Sequence, residues 1–224
     1  MNINQAREAI CHVGRSMFQR RLVHATAGNI SMRLEEGFLI TPTDACLGEL
    51  DPAELALVGW DGHQISGARA SKTLSLHQRI YQAAMSADPQ TRCVIHTHST
   101  HCVALSLRGA QYPGPLGPEL LPALTPYFVM KVGHVPWIGY HRPGDPAVAD
   151  RVGQAIVAHA AAGHPIRAVM IERLGPNVWH EGPMQAMATL DELEETAHLW
   201  QLAAAAPLTE TQIQDLRRQF GARW

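Results

Sequence analysis

Apolar positions recur at three- and four-residue intervals through residues 4–21, where Ala6, Ile10, Val13, Met17 and Phe18 share one side. That spacing predicts an amphipathic helix. Gly28 and Asn29 break it, and Ile30 to Leu34 alternates as a strand does. Glu35-Glu36-Gly37 turns the chain into Phe38-Leu39-Ile40, a hairpin pattern. A second hairpin is predicted from Ala56–Trp60 through Asp61-Gly62 into His63–Ser66. Ser71 is placed to cap a helix reaching about Ala87, with Leu74, Leu76, Ile80, Tyr81 and Ala84 buried. Arg92 to Thr97 reads as a buried strand and Ser99 to Leu107 as a helix. Residues 109–126 carry five prolines and three glycines, which predicts a loop or lid. Phe128 to Val132 is expected as a strand. The turn Arg142-Pro143-Gly144-Asp145 leads into a helix over Pro146–Ala162. Arg167 to Glu172 forms another strand, turned by Gly175-Pro176-Asn177 into Val178–His180. Helices over 183–205 and 208–220 complete the pattern. Hairpins mixed with helices, without strict βαβ alternation, predict a single α/β domain over 1–224 with a mixed sheet. There is no internal repeat or linker.

Composition narrows the function classes. With 46% hydrophobic and 17% charged residues the chain has material for a core, which excludes disorder. A formal net charge of -2 offers no strong field for nucleic acid or anionic lipid. The four cysteines, Cys11, Cys46, Cys93 and Cys102, show no CxxC spacing, as expected of reduced and mostly buried thiols. The first residues lack the apolar stretch of a signal peptide, and no later window is long enough to cross a bilayer. A soluble, cytoplasmic protein is the expectation. Two oddities stand out: 13 histidines, and lysines at Lys72 and Lys131 alone among 18 basic residues.

The chemistry concentrates in three stretches. In Val94-Ile95-His96-Thr97-His98, side chains two apart on a strand share a face, so His96 and His98 project together. Two imidazoles there suit a divalent ion, or equally a hydrogen-bonded pair at a strand edge. Thr26-Ala27-Gly28-Asn29 joins a permissive glycine to hydroxyl and amide donors. Ala70-Ser71-Lys72-Thr73 lies at a predicted helix N-terminus, where free N–H groups and the dipole favour an anion. Taken singly, each of the last two stretches is better explained by an ordinary turn or an ordinary N-cap.

Together they resemble the class II aldolase/adducin family of fuculose-phosphate aldolase and ribulose-phosphate epimerase relatives. The resemblance rests on Thr26-Ala27-Gly28-Asn29-Ile30-Ser31, Ile40-Thr41-Pro42-Thr43, Ser71-Lys72 with His77, and His96-Thr97-His98. Within that family the 3-oxo-tetronate 4-phosphate decarboxylases are the nearest group. The stretches that carry this finer likeness are Thr41-Pro42-Thr43-Asp44-Ala45-Cys46-Leu47-Gly48, Leu124-Thr125-Pro126-Tyr127-Phe128, Arg142 to Asp150, and Glu192 to Ala197. The order is collinear from the first helix almost to the C-terminus.

The resemblance implies a three-layer α/β/α sandwich around a mixed, mostly antiparallel sheet. It implies a homotetramer with active sites between subunits, small phosphorylated sugars or sugar acids as substrates, and a divalent ion, usually zinc, with manganese or cobalt as alternatives. Residue by residue, His96 and His98 match metal ligands. Thr26, Gly28, Asn29, Thr43, Ser71 and Lys72 match the binding of phosphate and adjacent oxygens. Two positions depart from the pattern. The family's glutamate after the Ser-Lys pair is Thr73 here, and the third metal histidine, normally in an Asn-His-Gly turn, is Leu174. Glu172, His101, His134 or His141 could stand in as a ligand; otherwise the metal is weakly held or absent. An aldol cleavage leans on the missing acid, whereas decarboxylation needs an electron sink and a proton donor, a role for Tyr127 or water; a different reaction in the same pocket would use Thr73 as a hydrogen-bond donor. The resemblance thus implies a decarboxylase giving a triose phosphate. Its alternatives are a catalytically impaired relative that binds or assembles, and a sugar-phosphate aldolase.

Overall fold

The computed structural model describes residues 2–109, 111–203 and 205–224. Helix α1 (Ile3–Gln19) begins at a capping box in which the Asn2 side chain accepts the Gln5 N–H and the Gln5 side chain accepts that of Asn2. It buries Ala6, Ile10, Val13 and Met17 as the spacing predicts, while Phe18 is left 39% exposed. Strands β1 (Asn29–Arg33), β2 (Gly37–Ile40), β3 (Ala56–Gly59) and β4 (Gln64–Ser66) form an antiparallel meander, the two predicted hairpins joined.

Next along the chain come α2 (Leu74–Ala84), β5 (Cys93–His96), α3 (Thr100–Leu107) and a small hairpin of β6 (Tyr112–Gly114) with β7 (Gly117–Glu119). The remainder consists of β8 (Trp137–Ile138), α4 (Pro146–Ala161), β9 (Ala168–Ile171), β10 (Gly175–His180), α5 (Pro183–Leu202) and α6 (Glu210–Phe220). Eight strands make one sheet in the order β4-β3-β2-β1-β5-β10-β9-β8, antiparallel except for the pair β8 and β9. It is the mixed, mostly antiparallel sheet expected.

Helices cover both faces. Ile30, Ile95 and Val178 join residues of α1, α3 and α5 in one core, while Val94, Val169 and Trp179 join those of α2 and α4 in the other. The alternation along β5 makes this division: Cys93 and Ile95 face one layer, Val94 and His96 the opposite one. The result is three layers.

Several expectations are corrected. Phe128–Val132 is a π-helical turn rather than a strand. The Thr125 hydroxyl accepts the Phe128 N–H and the Thr125 carbonyl accepts the Val129 N–H, which starts helical geometry. Residues 109–126, taken as a loop or lid, contain the β6–β7 hairpin and the fully buried Leu120 and Leu121, so part of this stretch belongs to the core; residue 110 lies outside the described residues. Helix α2 begins at Leu74, so Ser71 sits in the preceding turn instead of capping it. The two-residue strand β8 carried no sequence signal, being too short for alternation to register. All four cysteines are free, and burial pushes the Cys11 thiol up to about 11. Among the described residues no helix is long and apolar enough to cross a membrane.

Candidate active site

The end of β5 is held between two glycines. On the β1 side Gly28 has φ +87, and a Cβ there would sit 2.8 Å from the His96 carbonyl oxygen. On the β10 side Gly175 has φ +125, and a Cβ would overlap the Thr97 carbonyl oxygen. Only glycine tolerates both the conformation and the approach. The neighbours of His96 in the sheet follow from register: Asn29 lies opposite it on β1 and Asn177 opposite it on β10. Directly paired residues share a face, so a row of three polar side chains crosses the sheet where α2 and α4 cover it.

His96 is oriented by its own sheet. Its Nδ1 lies 3.1 Å from the Pro176 carbonyl, an acceptor only, so Nδ1 carries the proton and Nε2 keeps a lone pair. The His98 ring lies 5.1 Å from that of His96, centroid to centroid. Burial, then repulsion from His98, lowers the His96 pKa to about 3. That of His98 is lowered by burial and then by His24, on the turn before Thr26. Both imidazoles are neutral at pH 7.

Beneath them lies His77 of α2, fully buried, with Nδ1 2.7 Å from the Ser31 hydroxyl, which is 2.8 Å from the Tyr81 hydroxyl. Tyr81 in turn donates to the Ser31 carbonyl at 3.0 Å. A consistent chain runs from His77 Nδ1–H to Ser31 to Tyr81 to the backbone, leaving His77 Nε2 as an acceptor. Among the described residues, His77 Nε2, Asn29 Oδ1 and both amide atoms of Asn177 are buried without hydrogen-bond partners. Buried polar groups of this kind are normally satisfied; here they gather about His96.

A pH dependence follows. Burial holds His77 and His96 near 3, whereas an unfolded histidine titrates near 6.5. Below pH 6.5 the unfolded chain therefore binds protons that the folded one refuses. Stability is complete above pH 6.5 and declines as pH falls toward 3, by at most about 1.4 kcal/mol per pH unit for each group. The midpoint of thermal unfolding is expected to be level from pH 8 to 7 and to drop by pH 5. An unchanged midpoint at pH 5 would contradict neutral burial.

The histidines open into a cavity of about 350 Å³ that gathers nearly every residue singled out in the sequence: Thr26, Gly28, Asn29, Thr43, Ser71, Lys72, Thr73, His96 and His98. Thr73 stands at the N-cap of α2 but makes no side-chain cap bond; its hydroxyl lies 3.0 Å from that of Ser71. No side chain caps α2, but the Leu74 and Leu76 N–H groups are taken by the Ser71 and Thr73 carbonyls; among the described residues the Ser75 N–H is left at the cavity beside the Lys72 ammonium, a position suited to an anion.

Leu174 lines the same cavity and brings no donor. None of the suggested replacements lines it. The Glu172 carboxylate accepts the Tyr140 N–H at 3.0 Å, and His101 stacks on His198 at 4.1 Å. His134 is paired in the core with Glu119 at 2.9 Å, and His141 lies 3.6 Å from Asp145. Among the described residues, no group of three or more His, Cys, Asp or Glu side chains is placed to hold a metal ion. The donors fit two positions of a divalent ion, not the three that a resident catalytic ion ordinarily takes. Tyr127, 61% exposed, lies outside this cavity as well. Sequence reasoning gave no role to Arg142 and Asp145, which line the cavity, nor to Asn177 beneath it. Arg142 and Asp145 were marked in the sequence by the turn before α4 and by the likeness over Arg142 to Asp150, neither of which assigns a role, and Asn177 by the turn into β10 alone.

Comparison with known proteins places these features in company. A family model described as class II aldolase and adducin N-terminal domain matches residues 8–201. A 3-oxo-tetronate 4-phosphate decarboxylase of Cupriavidus necator is 50% identical over 228 residues, covering 99% of this chain and 98% of that protein. One of the same name from Escherichia coli K12 is 37% identical, covering 94% of each. Among solved structures, YgbL of Escherichia coli, described as a putative aldolase/epimerase/decarboxylase, superposes with a TM-score of 0.81 at 35% identity, covering 96% of this chain and 99% of that one. The L-fuculose-1-phosphate aldolase of Thermus thermophilus gives 0.70 at 25% identity over 92% of this chain and 99% of its own.

Proposed function

Because this chain belongs to the class II aldolase and adducin family, we propose that it is a lyase that decarboxylates a 3-oxo-tetronate 4-phosphate to a triose phosphate. One observation carries the choice of substrate: an uncapped helix N-terminus with Lys72 shares one small cavity with the two neutral histidines. The phosphate binds at Ser71, Lys72 and the Ser75 N–H of α2, with Thr26, Asn29 and Thr43 completing the cradle. The 3-oxo group then lies toward His98 and Asn29. When the C1–C2 bond breaks, carbon dioxide leaves and the electron pair forms the C2–C3 enediolate, its charge on the C3 oxygen. Hydrogen bonds from the Asn29 amide and the Thr73 hydroxyl stabilise that charge, and protonation at C2 completes the product. Nothing in this sequence of events requires a carboxylate at position 73, which favours decarboxylation over aldol cleavage. Tyr127, exposed and remote from its own cavity, is proposed to donate the C2 proton within a homotetramer, from one subunit to the next.

The family is generally dependent on a divalent metal, and we propose that here His96 and His98 alone would hold one, zinc, manganese or cobalt, weakly. A second reading is favoured by Leu174 and Thr73 together: a relative that keeps the phosphate cradle and has lost turnover. The deciding experiment is release of carbon dioxide and triose phosphate from a 3-oxo-tetronate 4-phosphate, with and without added zinc, manganese or cobalt. Turnover above the spontaneous rate supports the lyase; its absence under every metal supports the impaired relative. In an active protein, Lys72→Ala is expected to raise KM roughly 10- to 100-fold, the value of a charge-assisted bond of about 1.5–3 kcal/mol. Lys72→Arg should recover part of the loss. An unaltered KM in Lys72→Ala would move the phosphate elsewhere.

A further inference from the structure

Two helices start at this cavity, and they are finished differently. α2 opens without a capping side chain, and Lys72 precedes it. α4 is closed by Asp145, whose carboxylate accepts the Ala147 N–H at 3.0 Å, with Pro146 in the first turn. Its N-terminus is therefore already satisfied by an internal anion and has little to offer a second one. The cation on that wall is Arg142, which lines the cavity together with Lys72, Thr73 and His98. Among the described residues neither Arg142 nor Lys72 forms an ion pair with a carboxylate. Asp145 is the acidic neighbour of Arg142, but its oxygens are turned to Ala147 and His141.

Alongside the Asp44 and Asp145 carboxylates, the latter feeling the Arg142 charge at longer range, one cavity thus presents two cations of different kinds that are not in direct ion pairs among the described residues. An ammonium beside the start of α2, where the Ser75 N–H is left unbonded among the described residues, suits a compact, doubly charged phosphate, and a planar guanidinium suits a carboxylate held by two parallel bonds. We propose that Arg142 reads the C1 carboxylate of the substrate, fixing which end of a doubly anionic acid lies over Lys72 and which lies toward α4. The inference rests on the decarboxylase reading and adds to it an orientation and a specificity-determining residue. It also assigns work to the turn Arg142-Pro143-Gly144-Asp145: Asp145 occupies the helix end so that Arg142 is left for the ligand.

The carboxylate loses its charge as carbon dioxide departs, so an ion pair to it stabilises bound substrate more than the transition state. Removing Arg142 should therefore raise KM and leave kcat unchanged or raised. The test compares Arg142→Ala and Arg142→Lys with the natural protein by calorimetric titration of two probes. One is a tetronate 4-phosphate, the stable 3-hydroxy acid; the other is inorganic phosphate. Arg142→Ala is expected to bind the tetronate about tenfold more weakly and inorganic phosphate within twofold of the natural protein, with Arg142→Lys between. In turnover, KM should rise about tenfold. Equal weakening of both probes, no weakening of either, or a fall in kcat at constant KM would overturn the role. Absence of carbon dioxide release from the natural protein would sink the decarboxylase reading, while the pair of titrations would still judge Arg142.

Discussion

Leu174→His is expected to raise affinity for zinc by at least about a hundredfold. Leu174 lines the cavity with His96 and His98 and is only partly buried, so an imidazole of similar size can replace it without opening the core. His96 is already prepared as a ligand, with Nδ1–H bonded to the Pro176 carbonyl and Nε2 free of a proton. A third nitrogen turns a two-point contact into the set a catalytic ion ordinarily requires. Structural zinc sites with four ligands are worth roughly 10–16 kcal/mol, so one ligand accounts for about 3 kcal/mol, a hundredfold or more in affinity. Calorimetric titration with zinc, together with metal content after dialysis, reads this directly. If the variant binds no better than the natural protein, the turn after β9 does not aim position 174 at the histidines. Adding Thr73→Glu to it then asks whether turnover depends on both losses.

Gly175→Ala should cost the fold roughly 3–5 kcal/mol. A side chain there is strained by the φ of +125 and driven into the Thr97 carbonyl, which directly follows the central strand β5 and has little room to move aside. For a chain of this size each kcal/mol lowers the unfolding midpoint by about 2–4 °C, so a fall of about 10 °C or more is expected in a thermal melt. A midpoint within a degree or two of the natural protein would mean that β10 can part from β5, and that the clamp is weaker than its geometry implies.

The sequence made much of the site legible because its residues lie in short runs. Thr26 to Asn29, Ser71 to Thr73 and His96 to His98 are each contiguous; the first two reach the cavity whole and the third through its two histidines. Alternation put His96 on the right face of β5, and His98, two residues past the end of that strand, still reaches the same cavity. What escaped were positions whose meaning is set by a distant partner. Asn177 means little until register brings it opposite His96. Arg142 is one of many arginines until α4 folds against α2. The π-helical turn at Phe128–Val132 misled for a related reason. Its apolar run is buried either way, and a single threonine hydroxyl decides its backbone. Histidine abundance misled too, because His101, His134 and His141 spend their rings on stacking and pairing outside the cavity.

The chain of hydrogen bonds from His77 through Ser31 to Tyr81 fastens α2 to β1, the strand directly paired with β5. The anion seat at the start of α2 and the two imidazoles on the far side of that pairing are therefore parts of one rigid frame. A cavity built that way works as a ruler: with one end of a molecule anchored, the carbon lying under the histidines is fixed by counting along the chain. An acid one carbon longer or shorter would present a different bond at the same place.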